Sequence, residues 1–310
     1  FCMDPKAEYM DTLERMMLNV NLAGISMDGK RFFYENMLRR AKELPYELVW
    51  GQERTEYILS YCCPPNLART IAETAEYAYA TDHDGVWTGL YGANRASFKL
   101  DNGAEFTLVQ KTEYPWKGTI AFEVEESNGV PFTLHVRIPS WVKDGVLVSG
   151  TNALRLGKAE AGTYRTVEVT DPKGACICLE LNMQPRLTRG HGLIEEDRNQ
   201  AAVEYGPFVY CMETPDTEAE YLEDLLMPSD PQFTVVDYEI EGRTVKALEG
   251  TMLQICHQEK DFEREALYQD LEPEELKPVS VRMIPYYAWD NRGRGEMMIW
   301  MPLAWRRVNG

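Results

Sequence analysis

The chain reads as a multidomain protein of class α then β, with helices up to about residue 82 followed by two antiparallel β-sandwich domains. Three observations predict this. Apolar residues recur at spacings of three and four near the N-terminus and again after Pro65. From Val86 onward, short apolar runs alternate with Asn-Gly and Asp/Pro turns. At 310 residues there is room for two or three domains of roughly 100–200 residues each.

The first helix is expected over residues 4 to about 24. Tyr9, Leu13, Met16, Met17 and Val20 make its apolar stripe, with Lys6, Glu8, Asp11, Glu14 and Arg15 between them. Met27-Asp28-Gly29-Lys30 is a turn signal, and Arg31-Phe32-Phe33-Tyr34-Glu35-Asn36 an aromatic cluster on a short strand or loop. A short strand is expected around Tyr46 to Trp50. A second helix is expected from Pro65 to Tyr79, with Leu67, Ile71, Ala75 and Ala78 on one face and small residues suited to close helix packing. Thr81-Asp82-His83-Asp84-Gly85 ends it.

Strands are then expected at Val86–Tyr91, Ala104–Tyr114, Gly118–Val124, Phe132–Ile138, Tyr164–Val169 and Ala175–Leu181. Alternation of period two is clearest at Phe132, Leu134, Val136 and Ile138. A second β region opens near Arg189, with its plainest strand at Val203–Cys211. The acidic stretch 214–232 reads as an exposed connection with one helical turn. Strands resume at Phe233–Ile240, Arg243–Ala247 and Met252–Ile255, and 258–277 reads as acidic loop. Val279–Ala288 and Glu296–Met301 read as a closing hairpin. The pattern changes character near residue 83 and again near residue 186.

Composition narrows the function classes. The chain is 44% hydrophobic and 26% charged, in the range of globular proteins with a good core. No apolar run of about 18 residues exists to span a bilayer as a helix. A formal net charge of −18, from 50 acidic and 32 basic residues, opposes binding to nucleic acid and to anionic membranes. A neutral sugar is compatible with it. The seven cysteines are odd in number and scattered, which is no disulfide framework and favours a reducing, cytoplasmic compartment. The opening Phe1-Cys2-Met3-Asp4-Pro5, with a helical pattern under way at once, is expected to belong to a segment of a longer chain.

The chemistry concentrates at Tyr61-Cys62-Cys63-Pro64-Pro65-Asn66. Proline suits the first turn of a helix, so both thiols sit at or just before a helix N-terminus. The partial positive charge there favours thiolates. A thiolate pair can serve as nucleophile, metal site or redox couple; two buried small apolar residues are the bland alternative. Zinc prefers about four ligands, of which adjacent cysteines give two.

Other candidates weigh less. Cys176 and Cys178 alternate on a strand and read as core, as do Cys211 and Cys256. His135 reads as a polar sheet-surface residue, and His83, His191 and His257 share no spacing with it. Phe32-Phe33-Tyr34 suits either a sugar pocket or the core. No phosphate loop, dinucleotide fingerprint or Gly-x-Ser-x-Gly is present.

Several stretches together resemble glycoside hydrolase family 127, the bacterial β-L-arabinofuranosidases. They are Leu22-Ala23-Gly24-Ile25-Ser26-Met27-Asp28-Gly29-Lys30-Arg31-Phe32-Phe33-Tyr34-Glu35-Asn36, Cys62-Cys63-Pro64-Pro65-Asn66-Leu67-Ala68-Arg69 and Arg137-Ile138-Pro139-Ser140-Trp141. Gly206-Pro207-Phe208-Val209-Tyr210-Cys211 and Ile284-Pro285-Tyr286-Tyr287-Ala288-Trp289 with Asn291-Arg292-Gly293 agree, in the right order. The resemblance implies the last helices of a truncated (α/α)6 barrel over 1–82 followed by two antiparallel β-sandwich domains, 83–185 completed by 290–310 and 186–289, with Pro285–Met301 as the return to the first sandwich. It implies retaining hydrolysis of arabinofuranosyl glycans by a cysteine nucleophile, with zinc held by a Glu-x-Cys motif and the double cysteine. By that motif Cys62 is nucleophile and zinc ligand, Cys63 a zinc ligand, and Tyr34 a substrate-binding residue. A homodimer is among the assemblies the resemblance allows.

One departure matters: no Glu-x-Cys occurs in this chain. The expectation is therefore weak zinc binding and no catalysis by these residues alone. Two other readings compete: a non-catalytic carbohydrate-binding or scaffolding unit, and a vicinal-thiol redox or structural zinc protein.

Overall fold

In the strand Phe132–Ile138, Phe132, Leu134, Val136 and Ile138 are buried, while Thr133 and His135 between them are partly exposed. That alternation organises one of two compact units. The computed structural model describes residues 1–42, 50–59, 61–257, 268, 270 and 274–304. The expected strand at 46–50 and the acidic loop at 258–277 lie largely outside these residues. The described protein is mostly β with few helices.

The first unit comprises Phe1–Leu18, Pro64–Gln184 and Tyr205–Pro207. It holds a four-stranded sheet ordered Thr163–Val169, Phe132–Ile138, Gly85–Thr88, Tyr79–Thr81. A six-stranded sheet runs Asn94–Lys99, Glu105–Thr112, Thr119–Glu125, Cys176–Leu181, Gly145–Ser149, Asn152–Leu156. Side chains from both sheets share one core, including Val86, Leu134 and Val136 from the first and Leu108, Phe122 and Leu179 from the second. Phe106 stacks on Phe132 with ring centroids 3.8 Å apart. The unit is a sandwich, with one parallel pairing, Val86 opposite Leu134, in an otherwise antiparallel framework. The turns read from the sequence hold glycines at positive φ, Gly103 (90°) and Gly129 (86°), where a Cβ would be strained.

The helix Ala7–Arg15 continues as a π-helical segment, Met16–Asn21, so the expected helix forms with a changed winding. Its anchor is Arg137. This fully buried guanidinium pairs with Asp11 and, at 2.6 Å, with Glu14; Tyr114 Oη donates to Glu14 at 2.9 Å. The helix Cys63–Ala72 is followed by a 3-10 segment, Glu73–Tyr77. Leu67 is buried, but Ile71 on the same expected face is exposed.

The second unit comprises Asn19–Cys63, Pro185–Glu204 and Phe208 onward. Its strands form one ten-stranded sheet rather than two separate sheets, with nine strands in order starting Arg39–Arg40, Met297–Met298, Phe208–Glu213, Glu275–Pro285, Arg243–Cys256. It continues through Leu225–Pro228, Met301–Ala304, Gln200–Tyr205 and Pro185–Thr188; Thr234–Ile240 pairs beside Arg243–Cys256. One pairing, Met227 with Leu303, is parallel. Trp289, Tyr286, Cys211 and Ile284 are buried together in its core.

Several expectations are corrected. Within the expected segment 1–82, contacts group 1–18 and 64–82 with the first unit and 19–63 with the second. The described part of 290–310 does not complete the first sandwich. Met297 and Met298 pair with Glu213 and Met212, and Met301 with Ala201, all in the second unit. For the same reason Val279–Ala288 and Glu296–Met301 are not a hairpin. Cys176 is exposed and Cys178 only half-buried, because Ile177 and Leu179, the larger aliphatic side chains, take the inner face. Cys211 is buried as expected, while Cys256 sits half-buried at a strand end.

Candidate active site

Cys63 is the first residue of the helix Cys63–Ala72, with Pro64 and Pro65 in its first turn. Proline's fixed φ and missing N–H suit that position, where backbone N–H groups lack intrahelical partners anyway. The helix therefore starts two residues before the expected Pro65, which makes Cys63 its first residue. The Sγ atoms of Cys62 and Cys63 lie 3.4 Å apart, with no disulfide between them. Cys62 is exposed and Cys63 half-buried.

The Cys63 thiol is pushed up from its ordinary value, by burial first and then by its hydrogen bond and proximity to Cys62. This opposes the helix N-terminus argument. Without a metal, Cys63 is held as a thiol at neutral pH. Its Sγ also lies 4.0 Å from the backbone carbonyl oxygen of Tyr34, an acceptor that suits S–H.

Tyr34 thus meets the pair through its backbone, and its ring stacks on Trp50 at 3.7 Å. Phe33 turns the other way, into the core, stacked on Trp289 at 4.9 Å. Of the aromatic cluster, Phe33 packs in the core and Tyr34 is the residue whose carbonyl faces Cys63. The structure adds two residues that sequence reasoning passed over: the Tyr57 and Tyr61 hydroxyls bond to each other, with rings edge-on at 6.0 Å. Their spacing of four was the available signal.

The segment leading to the cysteines is tied to the aromatic loop. Phe32 N–H donates to Thr55 O at 2.9 Å, and Thr55 N–H returns to Phe32 O at 3.0 Å. Arg54, wholly buried, holds Ala23 O at 2.8 Å and pairs with Asp290 at 4.0 Å. Burial pulls its guanidinium down to about 10, which leaves it charged at neutral pH.

Two thiols can hold part of a metal site. Tetrahedral zinc with Zn–S bonds of about 2.3 Å needs sulfurs about 3.8 Å apart, so the observed 3.4 Å requires only a small opening. Among the described residues, no group of three or more His, Cys, Asp or Glu side chains is gathered for a metal. A cavity of about 680 Å³ in the second unit is lined by Arg189, His191, Arg198, Gln200 and Leu303, none of them in the cysteine cluster.

Comparison with known proteins gives three consecutive family matches. The β-L-arabinofuranosidase GH127 catalytic domain matches residues 1–76, the GH127 middle domain 85–183, and the glycoside hydrolase family 127 C-terminal domain 185–302. A non-reducing end β-L-arabinofuranosidase of Bifidobacterium longum is 31% identical over 314 aligned residues, covering 96% of this chain and 46% of that protein. A solved glycoside hydrolase superposes with a TM-score of 0.88 at 40% identity, covering 96% of this chain and 49% of its own. A GH127 β-L-arabinofuranosidase from Geobacillus stearothermophilus T6 gives 0.86 at 28% identity, covering 97% of this chain and 47% of its own. The chain thus spans about half the length of the relatives it matches. With all three GH127 domains matched in order along one chain, the protein belongs to glycoside hydrolase family 127.

Proposed function

We propose that these residues carry the nucleophile side of a zinc-dependent retaining hydrolase of β-L-arabinofuranosides, built on the last helices of an (α/α)6 barrel and two β-sandwiches. The observation that carries this reading is the double cysteine itself: two sulfurs 3.4 Å apart at a helix start, one of them exposed. Family membership supports the reaction class.

Cys62 is the nucleophile, because it is the sulfur open to an incoming sugar. Its thiolate attacks the anomeric carbon; a C–S bond forms as the C–O bond to the leaving group breaks, and the departing oxygen takes a proton from a general acid. Water then attacks the same carbon and gives its proton to the conjugate base of that general acid, the C–S bond breaks, and Cys62 leaves as thiolate, so the two inversions retain configuration. Cys62 and Cys63 are the residues that would hold zinc, and a bound zinc ion would keep both as thiolates near neutral pH. Tyr34, with Trp50 stacked beneath its ring, offers an aromatic wall for the sugar.

The remaining ligands and the acid/base carboxylate are assigned to no residue of this chain. No cysteine here follows a glutamate by two positions. The 310-residue chain alone should therefore bind zinc weakly and leave a chromogenic β-L-arabinofuranoside intact. Assay of the purified chain with added zinc is the test; clear turnover overturns this assignment of the missing groups.

A further inference from the structure

We propose that the buried Arg54–Asp290 pair is the positioning element of the double-cysteine site, setting the distance between Cys63 and Tyr34 and the approach of the two sulfurs. The relevance to hydrolysis rests on the reading above; the geometry does not.

The argument starts at Asp290. This non-glycine residue holds φ at 56°, a left-handed conformation that costs free energy and persists only where the surroundings impose it. Its backbone N–H and both carboxylate oxygens are engaged. The N–H donates to Glu213 Oε1 at 2.8 Å; Oδ2 accepts from the Arg54 backbone N–H at 3.0 Å; Oδ1 accepts from the Arg40 guanidinium. Asn291, the next residue, accepts from Met27 N–H at 3.1 Å. One turn therefore grips both the 23–34 loop and the 52–55 segment.

Arg54 completes the grip. Its guanidinium carbon lies 4.5 Å over the Phe33 ring, whose other neighbour is Trp289, and its N–H groups bind the carbonyls of Ala23 and Trp289. Burying a charge costs several kcal/mol unless it is well paired, and apolar packing would fill the space at lower cost. What the charged pair adds is a single register. Arg54 precedes Thr55, which pairs with Phe32 and whose Oγ1 donates to Tyr57 O at 3.0 Å. Tyr57 bonds Tyr61, the residue before Cys62. On the other side, Phe33 precedes Tyr34, whose carbonyl faces Cys63 Sγ. Two short paths thus run from Asp290 to the two sides of the thiol pair.

The test needs a readout of sulfur–sulfur geometry that is independent of zinc and of turnover. Phenylarsine oxide supplies one. Two thiols condense with it to form two As–S bonds, and its oxygen leaves as water with both thiol protons, so capture requires both sulfurs to meet one arsenic. The chain is used with Cys176→Ser, leaving Cys62-Cys63 as the nearest thiol pair in sequence. Capture rates are compared for the parent, Arg54→Met, Arg54→Lys and Asp290→Gly, alongside single-thiol alkylation of Cys62 by iodoacetamide and circular dichroism. Asp290→Gly removes the carboxylate while easing the left-handed backbone, which favours a folded variant.

We expect capture to slow roughly tenfold in Arg54→Met and Asp290→Gly, since a misplacement of about 1 Å can cost about a hundredfold and the shift expected here is smaller. Cys62 alkylation should stay within about twofold, and Arg54→Lys should recover part of the capture rate. Capture at the parent rate in folded Asp290→Gly overturns the proposal. So does loss of native dichroism in Asp290→Gly, because the pair is then a requirement of folding rather than of position. The hydrolase reading fails separately, through a Cys62→Ser protein that still turns over, and that result leaves the capture comparison untouched.

Discussion

The Sγ atoms of Cys62 and Cys63 stand 3.4 Å apart at the head of a helix, and the inner thiol faces the carbonyl of Tyr34. Burial and the neighbouring sulfur both raise the Cys63 pKa, so a zinc ion bound as proposed would have to displace a proton that Cys63 holds firmly. Zinc affinity should rise with pH up to and beyond the ordinary thiol value of 9.0, because the Cys63 thiol is raised above it, with proton release on binding. Calorimetry in buffers of different ionisation heat measures the protons; affinity independent of pH contradicts the dithiolate site. Cys63→Ser should abolish most of the binding.

Arg137 belongs to the Arg-Ile-Pro-Ser-Trp stretch that carried the resemblance, and its role is structural. It is fully buried and neutralises Asp11 and Glu14. Arg137→Met leaves Glu14 buried without its partner and should cost about 3–5 kcal/mol. Denaturant unfolding checks this; a loss below about 1 kcal/mol would contradict the structural role given to Arg137.

His135 stacks on Trp87 at 3.7 Å and bonds Thr166 through Nδ1 at 3.1 Å. Burial holds its pKa below the ordinary 6.5, more than Asp82 and Asp84 raise it. Below 6.5 the unfolded chain therefore takes up the proton more readily than the folded one. The stability is present above that pH and is lost as pH falls through the folded-state pKa. His135→Gln should flatten this part of the stability profile, read from thermal unfolding across the range.

Thiol accessibility separates the cysteines. Cys2, Cys62 and Cys176 are exposed and should alkylate quickly in the native state. Cys211 is buried and its thiol is pushed well up by desolvation, so it should react only on unfolding. Timed alkylation with peptide mapping reads each site. Rapid native labelling of Cys211 would contradict the core of the second unit.

Much of this was legible in the chain. Strand Phe132–Ile138, the turns at Gly103 and Gly129, and the helix beginning beside Pro64 all follow from local pattern and backbone chemistry. What local pattern lacks is partnership. Strands Asn94–Lys99 and Asn152–Leu156 are largely polar or exposed and gave no strong apolar signal. Alternation placed Cys176 and Cys178 on one face but not on which; Ile177 and Leu179 decided that by their larger apolar area. At the site, the double cysteine and Tyr34 were visible as residue types. Arg54 and Asp290 were not, since their pairing joins positions 236 residues apart.

The central claim is that Cys62 is the nucleophile, and it is tested most directly in a full-length family 127 protein bearing this chain. Replacing Cys62 by Ser should abolish turnover of a β-L-arabinofuranoside, while the unsubstituted protein, quenched during turnover, should yield a Cys62 peptide heavier by one anhydropentose. A Cys62→Ser protein that hydrolyses the substrate at the parent rate would contradict the account.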